Sequence, residues 1–259
     1  MDIPLIGIVV PTLGKRNDYL VQSLESIRQA GTSFISIVAP NPDEIQASIS
    51  SLLFDSVLQD PMKGLANAIN TGIFNLPESI KYVNWLGDDD LLAKDSLNIT
   101  SFVLKNCPEF DFVYGKCLYI DKYGKTIWNN KSGSYAQILM RFGPQLVPQP
   151  GALFRRETFD SLGGLNINYK AAFDLDLFLR FHKTKKMKYI PVSLASFRWH
   201  ENSISVGDRT RSVWEASQIR QQNFPKPIRL ISPVWEYLVR NLIVKTGRLI
   251  SYLGNKSSQ

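Results

Sequence analysis

Apolar residues follow two different periods over the first hundred residues of the chain. Short continuous apolar runs indicate buried strands, and apolar residues spaced three or four apart indicate helices. The runs predict strands at 6–10, 34–39, 57–58 and 82–86. The helical spacing predicts helices at 19–30, 41–54, 65–75 and 95–106. Strands that alternate with helices favour a parallel sheet covered by helices.

The second half of the chain has a different rhythm. Two apolar runs flank the turn at 121–124 and predict a β-hairpin. Further strands are predicted at 151–154, 188–191 and 194–199, and a helix at 174–182. We therefore expect one α/β domain with a mixed sheet over residues 1–220.

The last segment, 221–259, is predicted to form a basic amphipathic helical extension. Apolar residues recur at helical spacing from 232 to 254, and basic residues are interspersed among them. A helix of this kind suits the surface of an anionic membrane. The alternative is a helix that packs back on the domain and exposes a solvated basic face.

Composition and charge narrow the class of protein. The chain is 44% hydrophobic and 11% aromatic, so it can bury a core. Residues 183–259 hold 14 of the 30 basic side chains but only 4 of the 23 acidic ones. The net positive charge, the excess of basic over acidic residues, therefore lies in residues 183–259, whereas residues 1–182 are slightly acidic. No nucleic-acid-binding motif accompanies it, so we expect no nucleic-acid partner.

Cysteine content and hydropathy bear on the cellular compartment. Cys107 and Cys117 are the two cysteines, too few for a disulfide framework, and no Cys/His cluster suggests zinc. No apolar run approaches the roughly 18 residues that a membrane span needs, and the N-terminus lacks a signal-peptide pattern. We expect a cytoplasmic protein, with peripheral association at the cytoplasmic face of the inner membrane if the basic helix meets lipid.

Three consecutive carboxylates form the sharpest chemical feature. Asp88, Asp89 and Asp90 directly follow a buried apolar strand. Ligands bind at the carboxyl ends of the strands in sheets of this type, and Mg²⁺ prefers oxygen ligands completed by phosphate oxygens. The alternative is a solvated acidic turn before the next helix. No Gly-x-Gly-x-x-Gly or P-loop motif follows the first strand, so the common dinucleotide and NTPase folds lose support.

A second acidic pair and one histidine are further candidates. Asp174 and Asp176 lie in the first turn of a predicted helix, where a carboxylate either caps the helix or acts as a general base. His200 follows a predicted strand and enters a polar loop, as a metal or phosphate ligand would. On spacing alone, a structural role remains open for all three.

Five segments in order resemble glycosyltransferase family 2, whose members have the GT-A fold and use nucleotide-sugar donors. They lie within about residues 5–205. The segments are Ile8-Val-Val-Pro-Thr12 with Arg16, Gly64-Leu-Ala-Asn-Ala-Ile-Asn-Thr-Gly72, Trp85 to Asp90, Phe154 to Asn166, and Ala172-Phe-Asp-Leu-Asp176. The resemblance implies a GT-A, Rossmann-like mixed sheet flanked by helices. It also implies a nucleotide-sugar-binding half at about 1–110 and an acceptor-binding half at about 111–220.

The resemblance also implies roles for particular residues. Asp174 would be the catalytic base of an inverting transfer. Asp88, Asp90 and His200 would hold Mg²⁺ or Mn²⁺. The nucleotide-sugar donor would be bound by Pro11, Thr12, Arg16, Asp60, Gly64, Asn70, Asp88 and Asp89. Gln149, Gly151 and Asp176 would contact the acceptor, expected to be a glycan or lipid-linked saccharide in cell-surface polysaccharide biosynthesis.

Two other functions remain open at this point. One is a metal-dependent phosphoryl enzyme acting on sugar nucleotides, which would use the acidic cluster for different chemistry. The other is a non-catalytic carbohydrate- or membrane-binding module with the same fold. The presence of Asp88, Asp90 and Asp174 together favours the transferase.

Overall fold

The computed structural model describes residues 5–130, 133–184, 186–200, 209–224 and 226–257. Parts of the predicted C-terminal extension, residues 225 and 258–259, lie outside these ranges. Nine strands lie within the described ranges and join one sheet. They are β1 (Ile6–Pro11), β2 (Phe34–Ala39), β3 (Ser56–Gln59), β4 (Tyr82–Trp85), β5 (Leu91–Leu92), β6 (Phe112–Ile120), β7 (Thr126–Asn129), β8 (Leu153–Arg155) and β9 (Met187–Arg198).

The sheet has a parallel half and a mixed half. Its strand order is β3-β2-β1-β4-β8-β6-β9-β5, and β7 pairs with β6. β1, β2, β3 and β4 run parallel, whereas β8 is antiparallel to both β4 and β6. The hairpin predicted across residues 121–124 is confirmed as the β6–β7 pair. The predicted mixed α/β fold of GT-A type is also confirmed.

Helices cover both faces of the sheet. Those in the described ranges are α1 (Asn17–Ala30), α2 (Pro42–Ser48), α3 (Leu65–Phe74), α4 (Ser96–Asn106), α5 (Ala136–Leu139), α6 (Arg156–Ser161), α7 (Phe173–Thr184), α8 (Arg209–Asn223) and α9 (Lys226–Ser257). Apolar side chains of α1 and α4 pack on one face of the sheet. Those of α3 and α7 pack on the other, which gives a three-layer α/β/α arrangement.

Two sequence predictions were wrong in their boundaries. The helix predicted to reach residue 54 ends at Ser48, whose hydroxyl donates a 2.7 Å hydrogen bond back to the Glu44 carbonyl. Serines compete for backbone groups in this way and disfavour helix continuation. The two strands predicted near 188–191 and 194–199 are one strand, β9, because Pro191 falls where the pairing with β6 shifts register.

The C-terminal helices α8 and α9 pack against each other and on the domain. Arg220 of α8 and Glu236 of α9 are both buried and form a two-pronged ion pair with 2.7 Å contacts. Arg220 also donates to the Gly143 carbonyl at 3.1 Å. The first turns of α9 are therefore fixed to the domain. No helix in the described part of the chain combines the length and the apolar content that crossing a membrane demands.

Candidate active site

The acidic segment lies at the carboxyl edge of the parallel strands. β1 and β4 are neighbours, with Val9 opposite Trp85. The chain leaving β1 carries Thr12 and Arg16, and the chain leaving β4 carries the three aspartates. Because parallel neighbours end at the same edge, these two segments meet. The sequence predicts both segments as binding segments because each follows the carboxyl end of a strand.

Asp88 is held by both residues of the first segment. The Thr12 hydroxyl donates to Asp88 Oδ2 at 2.6 Å, and Arg16 Nη2 donates to Asp88 Oδ1. The carboxyl is buried, which raises its pKa, and the contacts with Thr12 and Arg16 act in the opposite direction. Asp88 is thus a buried carboxylate whose charge the guanidinium of Arg16 offsets.

Asp89 contacts the same arginine and the predicted histidine. Arg16 Nη1 donates to Asp89 Oδ2 at 2.8 Å, and His200 Nε2 lies 2.7 Å from that same oxygen. Arg16 Nη1 also lies 3.0 Å from His200 Nε2. Burial opposes ionisation of Asp89, but the hydrogen bond from His200 and the charge of Arg16 outweigh it, so its pKa is lowered. The structure therefore brings Arg16, Asp88, Asp89 and His200 together.

Asp90 is hydrogen-bonded to the end of strand β9. Its Oδ1 accepts the backbone N–H of Arg198 at 2.9 Å. Burial, and then the negative charge of Asp89, raise its pKa well above the usual range of an aspartate. The side chain of Arg198 donates to the Asp89 carbonyl, to Gln22 and to the carbonyls of Asp121 and Lys122 in the β6–β7 turn. Asp90 thus joins the acidic segment to β9.

The donor set fits a divalent cation chemically. Carboxylate oxygens and an imidazole nitrogen are ligands that Mn²⁺ accepts, and Asp88, Asp89 and His200 present them at one place. In the described part of the chain, however, no group of three or more His, Cys, Asp or Glu side chains is arranged to hold a metal ion. The guanidinium of Arg16 contacts both Asp88 and Asp89, whose carboxylates would hold the cation.

Asp174 lies in the first turn of α7, outside the cluster formed by Arg16, Asp88, Asp89 and His200. Gln145 Nε2 donates to its Oδ2 at 2.8 Å, and the Leu175 N–H donates to its Oδ1 at 2.8 Å. Burial raises the pKa of Asp174, and these two hydrogen bonds limit the increase. A carboxyl with a raised pKa that still accepts two hydrogen bonds is well suited to take a proton from a hydroxyl.

One loop connects Asp174 with the end of β4. Gln145 binds Asp174, and Gln149 of the same loop donates to the Trp85 carbonyl at 2.8 Å and to Asn84 Oδ1 at 3.0 Å. The rings of Trp85 and Phe173 are also neighbours, with centroids 6.4 Å apart. The base candidate and the acidic segment are therefore tied to the same strand end.

Several other predicted site residues make contacts of a structural kind. Asn70 exchanges hydrogen bonds with the backbone of Leu165, and Asp176 forms a 2.8 Å ion pair with Arg180. Asp60 Oδ1 accepts the Met62 N–H in a tight turn. The remaining ones are backbone positions: Pro11 ends β1 beside Val38, Gly64 precedes α3 with φ 100°, and Gly151 has φ 77°. Their binding roles stay predictions.

Comparison with known proteins finds matches among solved structures only. No family model matches the sequence, and no curated protein matches it. The S. aureus TarS 1–349 structure in complex with UDP superposes with a TM-score of 0.62 at 12% identity, covering 84% of this chain and 64% of that chain. A second S. aureus TarS structure gives 0.59 at 11% identity, covering 83% and 39%.

The mannosyltransferase PcManGT from Pyrobaculum calidifontis, in complex with GDP-Man and Mn²⁺, gives a TM-score of 0.64 at 15% identity. That match covers 96% of this chain and 74% of the other. At such identities the similarity shows a shared fold. This chain spans less than two thirds of the length of both TarS chains described above.

Three residues of the site were not found by sequence reasoning. Gln145 lies in an irregular loop, and Arg198 lies in a strand whose alternation gave no sign of a buried arginine. Glu215 of α8 accepts the N–H groups of Lys170, Ala171 and Ala172, the residues just before α7. Its carboxylate thereby fixes the start of the helix that carries Asp174.

Proposed function

We propose that this protein is an inverting glycosyltransferase that moves a sugar from a nucleotide-sugar donor to an acceptor hydroxyl. The observation that carries the proposal is the pairing of two features at one strand end. One is the Arg16–Asp88–Asp89–His200 cluster, and the other is the hydrogen-bonded Asp174 tied to it through the 145–149 loop. The shared fold with PcManGT and TarS supports it as an analogy.

The donor diphosphate belongs at the acidic cluster. Asp88, Asp89 and His200 are the residues that would hold Mn²⁺ or Mg²⁺, which when bound supplies positive charge opposite the leaving diphosphate. The sequence predicts Asp90 as a metal ligand and Asp89 as a donor-binding residue, but the contact of Asp90 with the Arg198 N–H supports a positioning role for Asp90. Arg16, which lies in the same cluster, would supply a second positive charge for the phosphate oxygens.

Asp174 takes the acceptor proton. The acceptor oxygen forms a bond to the anomeric carbon, the bond between that carbon and the diphosphate oxygen breaks, and the hydroxyl proton passes to the Asp174 carboxylate. Attack from the face opposite the leaving group inverts the anomeric configuration. We infer a glycan or lipid-linked saccharide as acceptor, with a place in cell-surface polysaccharide assembly.

Thermal unfolding in the presence of nucleotides tests the donor site. We expect a nucleoside diphosphate to raise the unfolding midpoint, and to raise it further with Mn²⁺, because ligands that bind the native state stabilise it. Asp174→Asn should keep this shift and lose sugar transfer, while Asp160→Asn on α6 serves as the matched control. If no nucleoside diphosphate shifts the midpoint with or without Mn²⁺, the proposed function is wrong.

A further inference from the structure

Helix α9 has one side buried against the domain and one exposed side that is apolar. Ser232 and Glu236 are buried against the domain, and the ring of Trp235 meets that of Phe224 edge-on at 5.3 Å. On the other side, apolar residues are 49% to 83% exposed although they follow one another at helical spacing. We call this set the outer stripe: Leu230, Val234, Tyr237, Leu238, Leu242, Leu249 and Tyr252.

Two cations lie within the outer stripe. Successive residues of a helix are rotated by about 100°, so positions 242, 245, 249 and 252 follow one line along its surface. Lys245 is exposed on that line, and exposed Arg248 is next to it. Lysine is depleted in the cores of protein interfaces. At a lipid surface, in contrast, long basic side chains reach the headgroups while their stems lie on apolar surface.

The acidic residues of this region do not reach the surface. Residues 209–257 contain Glu215 and Glu236 as their only acids. Glu236 is buried in its ion pair with Arg220, and Glu215 is buried against the backbone N–H groups before α7. Among the described residues from 209 onward, the solvent therefore meets basic and apolar side chains with no exposed carboxylate.

We propose that the outer stripe of α9 docks the protein on an anionic lipid surface. The stripe supplies apolar area that enters the headgroup region, and Lys245 and Arg248 meet lipid phosphates. α9 also packs against β7, whose hairpin turn is hydrogen-bonded by Arg198 of the acidic cluster. The lipid surface thus lies at the side of the domain that carries this hairpin. The inference rests on α9 and is independent of the proposed sugar transfer.

Vesicle sedimentation with the full chain tests the proposal. We expect binding to vesicles of phosphatidylglycerol and phosphatidylcholine, and at least about tenfold weaker binding to phosphatidylcholine alone. Leu238→Asp/Leu242→Asp should lower the binding about tenfold or more, since each change places a charge in the apolar contact. Leu52→Asp/Phe102→Asp is the matched control, because those side chains are 83% and 67% exposed on other elements.

A second variant tests the charge requirement separately. Lys245→Glu/Arg248→Glu should lose the preference for anionic vesicles while its helix content and unfolding midpoint match those of the wild type. Wild-type protein that fails to sediment with anionic vesicles, or binds neutral ones equally well, overturns the proposal. So does a wild-type dimer that Leu238→Asp/Leu242→Asp dissociates in sedimentation equilibrium, since the stripe then meets a second copy. Nucleoside diphosphate binding, measured on the same variants, reports on the proposed function alone.

Discussion

Arg16 relieves the repulsion between two neighbouring carboxylates. Its two terminal nitrogens bind Asp88 and Asp89 separately, and it also touches His200. Like charges held this close in a buried site favour protonation or a counter-cation. The guanidinium is the counter-cation that the chain itself supplies, so we predict that a metal ion and Arg16 would compete for the same oxygens.

The competition predicts that Arg16→Gln binds Mn²⁺ more tightly than the wild type. Removing one positive charge at contact distance should strengthen Mn²⁺ binding about tenfold or more, because such interactions are worth several kcal/mol even when screened. Calorimetric titration with Mn²⁺ alone measures the effect. Arg28→Gln, which breaks the remote Arg28–Asp55 pair, is the control and should change nothing. Weaker Mn²⁺ binding by Arg16→Gln would contradict the competition.

Burial raises the pKa of Asp174, and Gln145 limits that increase. Its hydrogen bond stabilises the charged carboxylate, so Gln145→Leu raises the pKa of Asp174 further above its usual value. A base is inactive below its pKa, and the acidic limb of the kcat/KM profile should therefore move to higher pH by about one unit, the equivalent of one such bond. Gln46→Leu, on exposed α2, should leave the limb in place. A limb that moves to lower pH would rule out Asp174 as the titrating base.

At the scale of elements, the first turns of α9 are held to the domain by a buried ion pair, and its later turns carry exposed apolar side chains. Its beginning carries Glu236, the partner of buried Arg220, whereas the turns after Asn241 carry the exposed stripe residues Leu242, Leu249 and Tyr252. Removing one member of a buried ion pair is far more destabilising than removing an exposed helix turn. Removing the first part of α9 should therefore lower the free energy of unfolding more than removing the later part does.

Two truncations separate these parts. A chain ending at Phe224 loses both Glu236 and the helix that packs beside Arg220, and its free energy of unfolding should fall by about 3–5 kcal/mol or more. A chain ending at Asn241 keeps Glu236 and should be nearly as stable as the full chain. Urea unfolding followed by circular dichroism gives both values. Equal stability of the two truncated proteins would show that the pair contributes little.

Sequence patterns predicted the elements that bury one continuous apolar run or stripe. β1, β2 and β4 are of this kind, and so are α1 and α4. They did not predict α8, whose sequence has no apolar periodicity because its important contacts are polar, through Glu215 and Arg220. Register shifts such as the one at Pro191 depend on the partner strand, so the sequence of β9 alone does not predict them.

The same limit applies to the candidate site. Residues that follow a strand, such as Thr12 and Asp88, were predictable because the ends of parallel strands converge. Arg198 and Gln145 reach the site from segments far away in sequence, so no local pattern could indicate them. Long-range pairing of this kind depends on the tertiary fold.

At the scale of the whole molecule, charge is divided between two regions. The acidic cluster is neutralised internally by Arg16 and Arg198, whereas the C-terminal helices bury their acids and expose their cations. Net charge alone therefore describes neither region. The domain holds paired charges at its strand ends, and the last helix exposes basic and apolar side chains.

The Asp90–Arg198 contact has a consequence for the order of events during synthesis. Translation delivers the three aspartates of the acidic segment more than a hundred residues before Arg198 and His200. A nascent chain that has just completed β4 and the acidic segment can form the parallel strands and the contacts of Asp88 and Asp89 with Arg16, but it cannot yet fix Asp90. The cluster is therefore completed only after β9 has left the ribosome, because a polypeptide cut short before that strand lacks the contacts of Asp90 with Arg198 and of Asp89 with His200.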